Sequence, residues 1–200
     1  MVKKTYLHDI TELRVRSRGY LPHWEVPGAT YAVTIRLADS LPRAIVDRLR
    51  DEHRALARVL TRAELRERVE TDLERELHYG AGIACMNDPR VADIVASAFT
   101  HFDGLRYRLV AWCVMPNHAH IVFTPMAADI TSIVHSWKSY TSNAVNALLG
   151  REGRLWQPEY FDRIIRDERH LTDAVSYVLD NPIKAGLRDW KWTSETWTAG

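Results

Sequence analysis

His118-Ala119-His120 sets two imidazoles on either side of one small apolar residue and opens the run Ile121-Val122-Phe123. Successive side chains of a strand point to opposite faces, so residues two apart share a face and stand roughly 6.5–7 Å apart along the backbone. That spacing suits two ligands of one divalent cation. The preceding Val114-Met115-Pro116-Asn117 reads as a turn, because proline presets φ and asparagine tolerates tight backbone geometry. Further on, Tyr177 and Asn181 lie four residues apart and so share one helical face. These are the parts of one reaction. A cation on His118 and His120 would polarise a phosphodiester while Tyr177 Oη attacks phosphorus in line. A phenol, with a pKa of about 10, is a weak nucleophile until deprotonated. Its phenolate is a good leaving group, which suits a reversible covalent phosphoryl intermediate rather than simple hydrolysis. The cation would serve as Lewis acid and template. The amide oxygen of Asn181 is a candidate third ligand, since Mg²⁺ and Mn²⁺ favour oxygen and tolerate imidazole. Tyr140 is the rival nucleophile on an earlier helix; it has Ala144 at i+4 and Asn143 at i+3.

These side chains need rigid elements to hold them. Residues 30–37 are rich in β-branched types and predict a first strand. Pro42 opens a helical stretch to about Leu60, and Thr61-Arg62-Ala63-Glu64 is a capping box that restarts a helix striped with Leu65, Val69, Leu73 and Leu77. Asp88-Pro89 predicts an N-cap and first helical residue. Residues 105–113 and 119–124 predict a second and third strand joined by the Pro-Asn turn. A helix over about 129–149, a fourth strand over 160–166 and a last helix from about Glu168 follow. Pro182 disfavours helical geometry in the residue before it, so that helix is expected to stop by Asn181. The order is a ferredoxin-like βαββαβ core of α+β class with an antiparallel sheet, a helical insertion near 42–78 and an extra C-terminal helix carrying the tyrosine. The third strand of such a core is interior, which puts the histidine pair on a central element. Residues 1–200 read as one domain, with 1–29 an irregular basic segment.

Composition narrows the class. The chain has 200 residues, 46% hydrophobic and 26% charged, which is enough to bury a core. No apolar stretch approaches the roughly 18 residues of a membrane span. The first residues lack a signal-peptide core. With two cysteines at no metal-binding spacing, a reducing cytoplasm is the expected compartment. The net charge of +1 is low for a protein gripping a polyanion. A locally positive cleft is expected from Arg14, Arg16 and Arg18 together with Lys138, Arg163, Arg166 and Lys184, with Trp24 as a base-stacking candidate.

Five segments in order resemble the REP-associated tyrosine transposases, among the HUH single-tyrosine transposases: Met115 to Phe123, Trp137 to Tyr140, Leu155 to Phe161, Arg166 to Arg169 and Tyr177 to Gly186. The match runs over about residues 14–192, and the opening Arg18-Gly19-Tyr20-Leu21-Pro22-His23 is similar to one subgroup. The resemblance implies a ferredoxin-like nuclease fold with a Mg²⁺ or Mn²⁺ site. It also implies cleavage and rejoining of single-stranded DNA near short hairpins through a 5′-phosphotyrosine. By position, His118 and His120 match the metal ligands and Tyr177 the nucleophile; Asn181 falls where related enzymes carry an amide ligand. Partners are then hairpin-bearing single strands, REP-like elements, with no membrane, and the protein acts as a monomer or homodimer. A second reading is a catalytically retired transposase that binds hairpin DNA or RNA as a regulator. A third, an unrelated zinc hydrolase, lacks an evident third strong ligand and a base at metalloprotease spacing.

Overall fold

The computed structural model describes residues 14–17, 22–78 and 82–196. In chain order it contains β1 (Arg14–Ser17), β2 (Pro22–Glu25), β3 (Tyr31–Arg36), α1 (Arg43–Leu56), α2 (Arg62–His78), α3 (Pro89–Thr100), β4 (Tyr107–Val114), β5 (His118–Pro125), α4 (Ile130–Leu149), β6 (Phe161–Ile164), α5 (Glu168–Lys184) and β7 (Thr193–Glu195). The five-stranded sheet has the order β6-β3-β5-β4-β7 with antiparallel neighbours throughout. Strands β3, β4, β5 and β6 with α3 and α4 make the expected ferredoxin-like core, and β5 is its middle strand.

Local chemistry sets the helix boundaries. Asp88 accepts from Arg90 N–H at the start of α3, with Pro89 at the first helical position. Asp129 accepts from Ser132 N–H at the start of α4, which Gly150 ends in the left-handed region, φ 60°. Helices α3 and α4 cover one face of the sheet, where Phe99, Tyr107, Phe123 and Trp137 meet edge to face. Trp137 and Tyr107 bury their polar tips with partners: the indole N–H donates to Tyr107 Oη (3.0 Å), and that hydroxyl donates to the Phe99 carbonyl (2.7 Å).

Helix α5 covers the other face, laying Leu171, Val175 and Val178 on Val110, Ala111, Cys113 and Val122. A bulge in β4 makes room for it. The register slips between Leu109 and Ala111, so Leu109 and Trp112 both face α3 and α4, while the smaller Ala111 and Cys113 turn towards α5. Helices α1 and α2 pack through Leu41, Ile45, Val46, Leu73 and Leu77, with Phe161 of β6 beside them. Between these two helices the buried Asp72 carboxylate meets His53 Nε2 (3.1 Å), Arg68 Nε (2.8 Å) and Arg75 Nη2 (3.2 Å). None of the described helices is long and apolar enough to cross a membrane.

Three expectations are corrected. The segment 1–29, expected to be irregular, carries the β1–β2 hairpin, with Arg14 opposite Glu25 and Ser17 opposite Pro22. A strand not foreseen, β7, pairs with the free edge of β4. Helix α5 does not stop by Asn181 but runs through Pro182 to Lys184. Proline removes one helical N–H, yet the last turn still closes through Ala185 N–H to the Asn181 carbonyl, and Asn181 and Pro182 are both buried.

Candidate active site

The β4–β5 turn closes through Met115 N–H donating to the His118 carbonyl (2.8 Å), which starts β5 at the first histidine. Strand alternation then points His118 and His120 to the α5 side, while Ala119 and Ile121 enter the α3–α4 core. Both histidines are buried, and their rings stand 4.7 Å apart at 84°.

Each ring is held through Nδ1. His118 Nδ1 lies 2.6 Å from Asn117 Oδ1. The amide cannot turn over, because Asn117 Nδ2 donates to the Leu77 carbonyl at the end of α2 (3.1 Å). Asn117 therefore presents oxygen, His118 Nδ1 carries the proton, and Nε2 carries the lone pair a cation requires. His120 Nδ1 contacts Thr34 Oγ1 (2.9 Å), its cross-strand partner on β3. When that hydroxyl accepts, His120 is in the same tautomer.

Tyr177 reaches this pair from α5, its ring 5.3 Å from that of His120 and at 86° to it. Lys184 Nζ sits 5.4 Å from the centre of the Tyr177 ring and 3.7 Å from Asp180 Oδ2. Asn181 follows one turn after Tyr177 and is fully buried. Its Nδ2 donates to the Tyr177 carbonyl (3.2 Å), and its Oδ1 has no hydrogen-bond partner among the described residues. A cavity of about 240 Å³ opens beside Tyr177 and His120; Glu74, Arg163, His170 and Asp173 contribute to its walls. Burial, then the charges of Arg163 and Arg166, hold the His170 pKa below its ordinary value.

The structure thus brings His118, His120 and Tyr177 together, with Arg163 and Lys184 beside them. It separates Tyr140, which is exposed on α4 across the sheet. Lys138 also sits on α4, where its ammonium donates to the Gln157 (2.6 Å) and Pro158 (2.7 Å) carbonyls, and burial pulls its pKa down to about 8. It braces a loop instead of joining the expected positive cleft. Arg166 is exposed at the start of α5. Arg18 and the side chains of Arg14, Arg16 and Trp24 lie outside the described residues. Among the described residues no group of three or more His, Cys, Asp or Glu side chains is arranged to hold a metal. A cation at the histidine pair would complete its shell with amide, water or substrate oxygen.

Sequence reasoning passed over Asn117 as an orienting group, Thr34 and Glu74. Asn117 had a signal, being adjacent to a histidine in a turn; Thr34 and Glu74 reach the site only through strand pairing and helix packing.

Residues 87–181, which include His118, His120, Tyr177 and Asn181, match the family model described as Transposase IS200 like. A REP-associated tyrosine transposase of Escherichia coli strain K12 is 26% identical over 92 residues, covering 44% of this chain and 54% of that protein. A relative from Haemophilus influenzae named for the same family is 25% identical over 103 residues, covering 44% and 58%. The chain spans a little over half the length of these curated relatives. A solved REP-associated tyrosine transposase bound to a REP hairpin superposes with a TM-score of 0.52 at 15% identity, over 88% of this chain and 81% of that one, so the fold is shared. Over residues 87–181 the chain is similar to the Transposase IS200 like family, and the curated relatives it resembles in part are named REP-associated tyrosine transposases.

Proposed function

We propose that this chain is a metal-assisted tyrosine transposase that cleaves and rejoins single-stranded DNA beside short hairpins through a 5′-phosphotyrosine. The observation that carries the reading is the packing of the Tyr177 ring against His120, on the sheet face that also bears His118.

The donor set fits Mg²⁺ or Mn²⁺. Two imidazoles are oriented through Nδ1, and Asn181 Oδ1 is a buried acceptor without a hydrogen bond, an arrangement that ordinarily costs about 1–3 kcal/mol. Ligation would satisfy that oxygen. His118, His120 and Asn181 would hold the cation, which when bound supplies Lewis-acid polarisation of the scissile phosphodiester.

Tyr177 does the covalent work. Its Oη loses a proton to solvent and attacks phosphorus; the bond from phosphorus to O3′ breaks, and O3′ takes up a proton to leave as a 3′-hydroxyl. The 5′-phosphate remains on the tyrosine until another 3′-hydroxyl attacks and expels the phenolate, which rejoins DNA without hydrolysis. The Lys184 ammonium lies over the Tyr177 ring. The histidines and the tyrosine come together within one chain, which supports a site that a single copy can complete.

Hairpin oligonucleotides from beside the gene, incubated with Mn²⁺, should yield an SDS-resistant protein–DNA adduct. Tyr177→Phe should abolish the adduct while leaving binding and melting temperature nearly unchanged. An adduct from the Phe variant would overturn the nucleophile. Hairpin binding without any adduct from the unmodified protein would favour the retired binder instead.

A further inference from the structure

Arg36 stands on the same sheet face and has no part in the reaction just described. It ends β3, and its register partner on β5 is His118, two positions from the Thr34–His120 pair. Directly opposed residues of an antiparallel pair share a face, with Cβ atoms roughly 4.5–5.5 Å apart. Tyr31, Val33 and Ile35 enter the α3–α4 core, so Thr34 and Arg36 point to the α5 side.

The surroundings of this guanidinium differ from those of the carboxylates Asp72 and Glu76, which fold in with counter-ions. Asp72 meets three basic groups, and the largely buried Glu76 meets Arg48 at 2.6 Å. Arg36 is partly buried, and burial alone pulls its pKa down to about 10, where it still carries its charge at neutral pH. Among the described residues no carboxylate lies within ion-pair distance of it, and its hydrogen bond to Ser40 Oγ is long, at 3.5 Å. Withdrawing a cation from water without a counter-ion costs several kcal/mol. A fold keeps such a group where an anion arrives later. The planar fork of arginine matches the paired oxygens of a phosphate.

We propose that Arg36 is an anion-binding residue of the site, its guanidinium taking a non-bridging oxygen of a phosphate of the bound single strand beside His118. The assignment rests on the functional reading above for its ligand.

The test uses the whole chain without metal. Binding of fluorescent single-stranded oligothymidylate is measured across a range of salt concentrations for the unmodified protein, Arg36→Met and Arg36→Lys. Arg36→Met should weaken binding about 10- to 100-fold, the usual weight of a hydrogen bond to a charged group. The slope of log affinity against log salt should shrink by about 0.7, one phosphate contact on a single strand. Without DNA, Arg36→Met should melt at or above the temperature of the unmodified protein, because it removes an uncompensated charge. A structural strut would give the opposite pattern, a lower melting temperature with unchanged DNA affinity and slope, and that result would overturn the proposal. Should Arg36→Met melt well below the unmodified protein and also bind weakly, Arg36→Lys decides. Recovery of the slope by lysine supports an anion site, and failure to recover it sinks one. Adduct formation by the unmodified protein alongside an unchanged slope in Arg36→Met removes the arginine alone. Failure of the unmodified protein to bind any single strand removes the functional reading together with it.

Discussion

The two faces of the central sheet are built from alternate residues of the same strands and have opposite characters. On β5, Ala119, Ile121 and Phe123 enter an aromatic core in which Trp137, Tyr107 and Trp156 place their polar tips on partners, although Trp112 Nε1 has none among the described residues. The residues between them, His118 and His120, face α5 among Thr34, Arg36, Asn117, Tyr177 and Asn181, where polar groups are oriented but not all satisfied. A reactive constellation must be held to about 0.5 Å, and surface loops rarely manage that. Here each histidine is one residue from a fully packed side chain, so the apolar face holds the backbone still beneath the polar face, where the proposed chemistry would take place.

That contrast can be broken from either side. Phe123→Ala removes the ring lying 4.9 Å from Trp137 and 5.8 Å from Tyr107, and should cost about 3–5 kcal/mol in denaturant unfolding. A loss near that of an ordinary surface change would mean the packed face is not the anchor. Asn117→Ala acts on the other face: freed from Asn117 and, through it, from the Leu77 carbonyl, His118 can exchange tautomers. Mn²⁺ affinity by calorimetry should fall about 10- to 100-fold, the usual effect of removing a partner that orients a ligand histidine. Unchanged affinity would show that the amide does not set the histidine.

A third and smaller effect lies outside both faces. Burial pushes the Asp72 carboxyl up, but hydrogen bonds from Arg68 and His53 and the charges of Arg68 and Arg75 outweigh it and hold the pKa below the carboxylate range. A depressed folded value stabilises at pH above the unfolded value of about 3.9 and is lost as pH falls through the folded one. The α1–α2 pair should therefore loosen below about pH 4 before the sheet does, so pepsin should cut first within residues 43–78. Asp72→Asn should be cut there at neutral pH too, by a protease active in that range.

Much of this architecture was legible because it is local. The N-cap at Asp88, the helix over about 129–149 and the shared face of His118 and His120 follow from rules spanning a few residues. The β1–β2 hairpin and β7 were not legible. They are short and carry little hydrophobic pattern, and β7 exists as a strand because β4 offers it an unpaired edge. Helix α5 outran its proline because burial of Asn181 and Pro182 is a tertiary gain that a local rule does not count.

The amino-acid sequence by itself determined the reactive types and their periodicity: two imidazoles on one strand face, and a phenol and an amide on one helix face. Only the tertiary structure decided that α5, and not the helix bearing Tyr140, covers the histidines, that Asn117 meets a carbonyl 40 residues away, and that Arg36 stands opposite His118. The physical reason is that side-chain direction depends on backbone dihedrals a few residues long. Layer and register, by contrast, are settled by which distant apolar faces exclude water together.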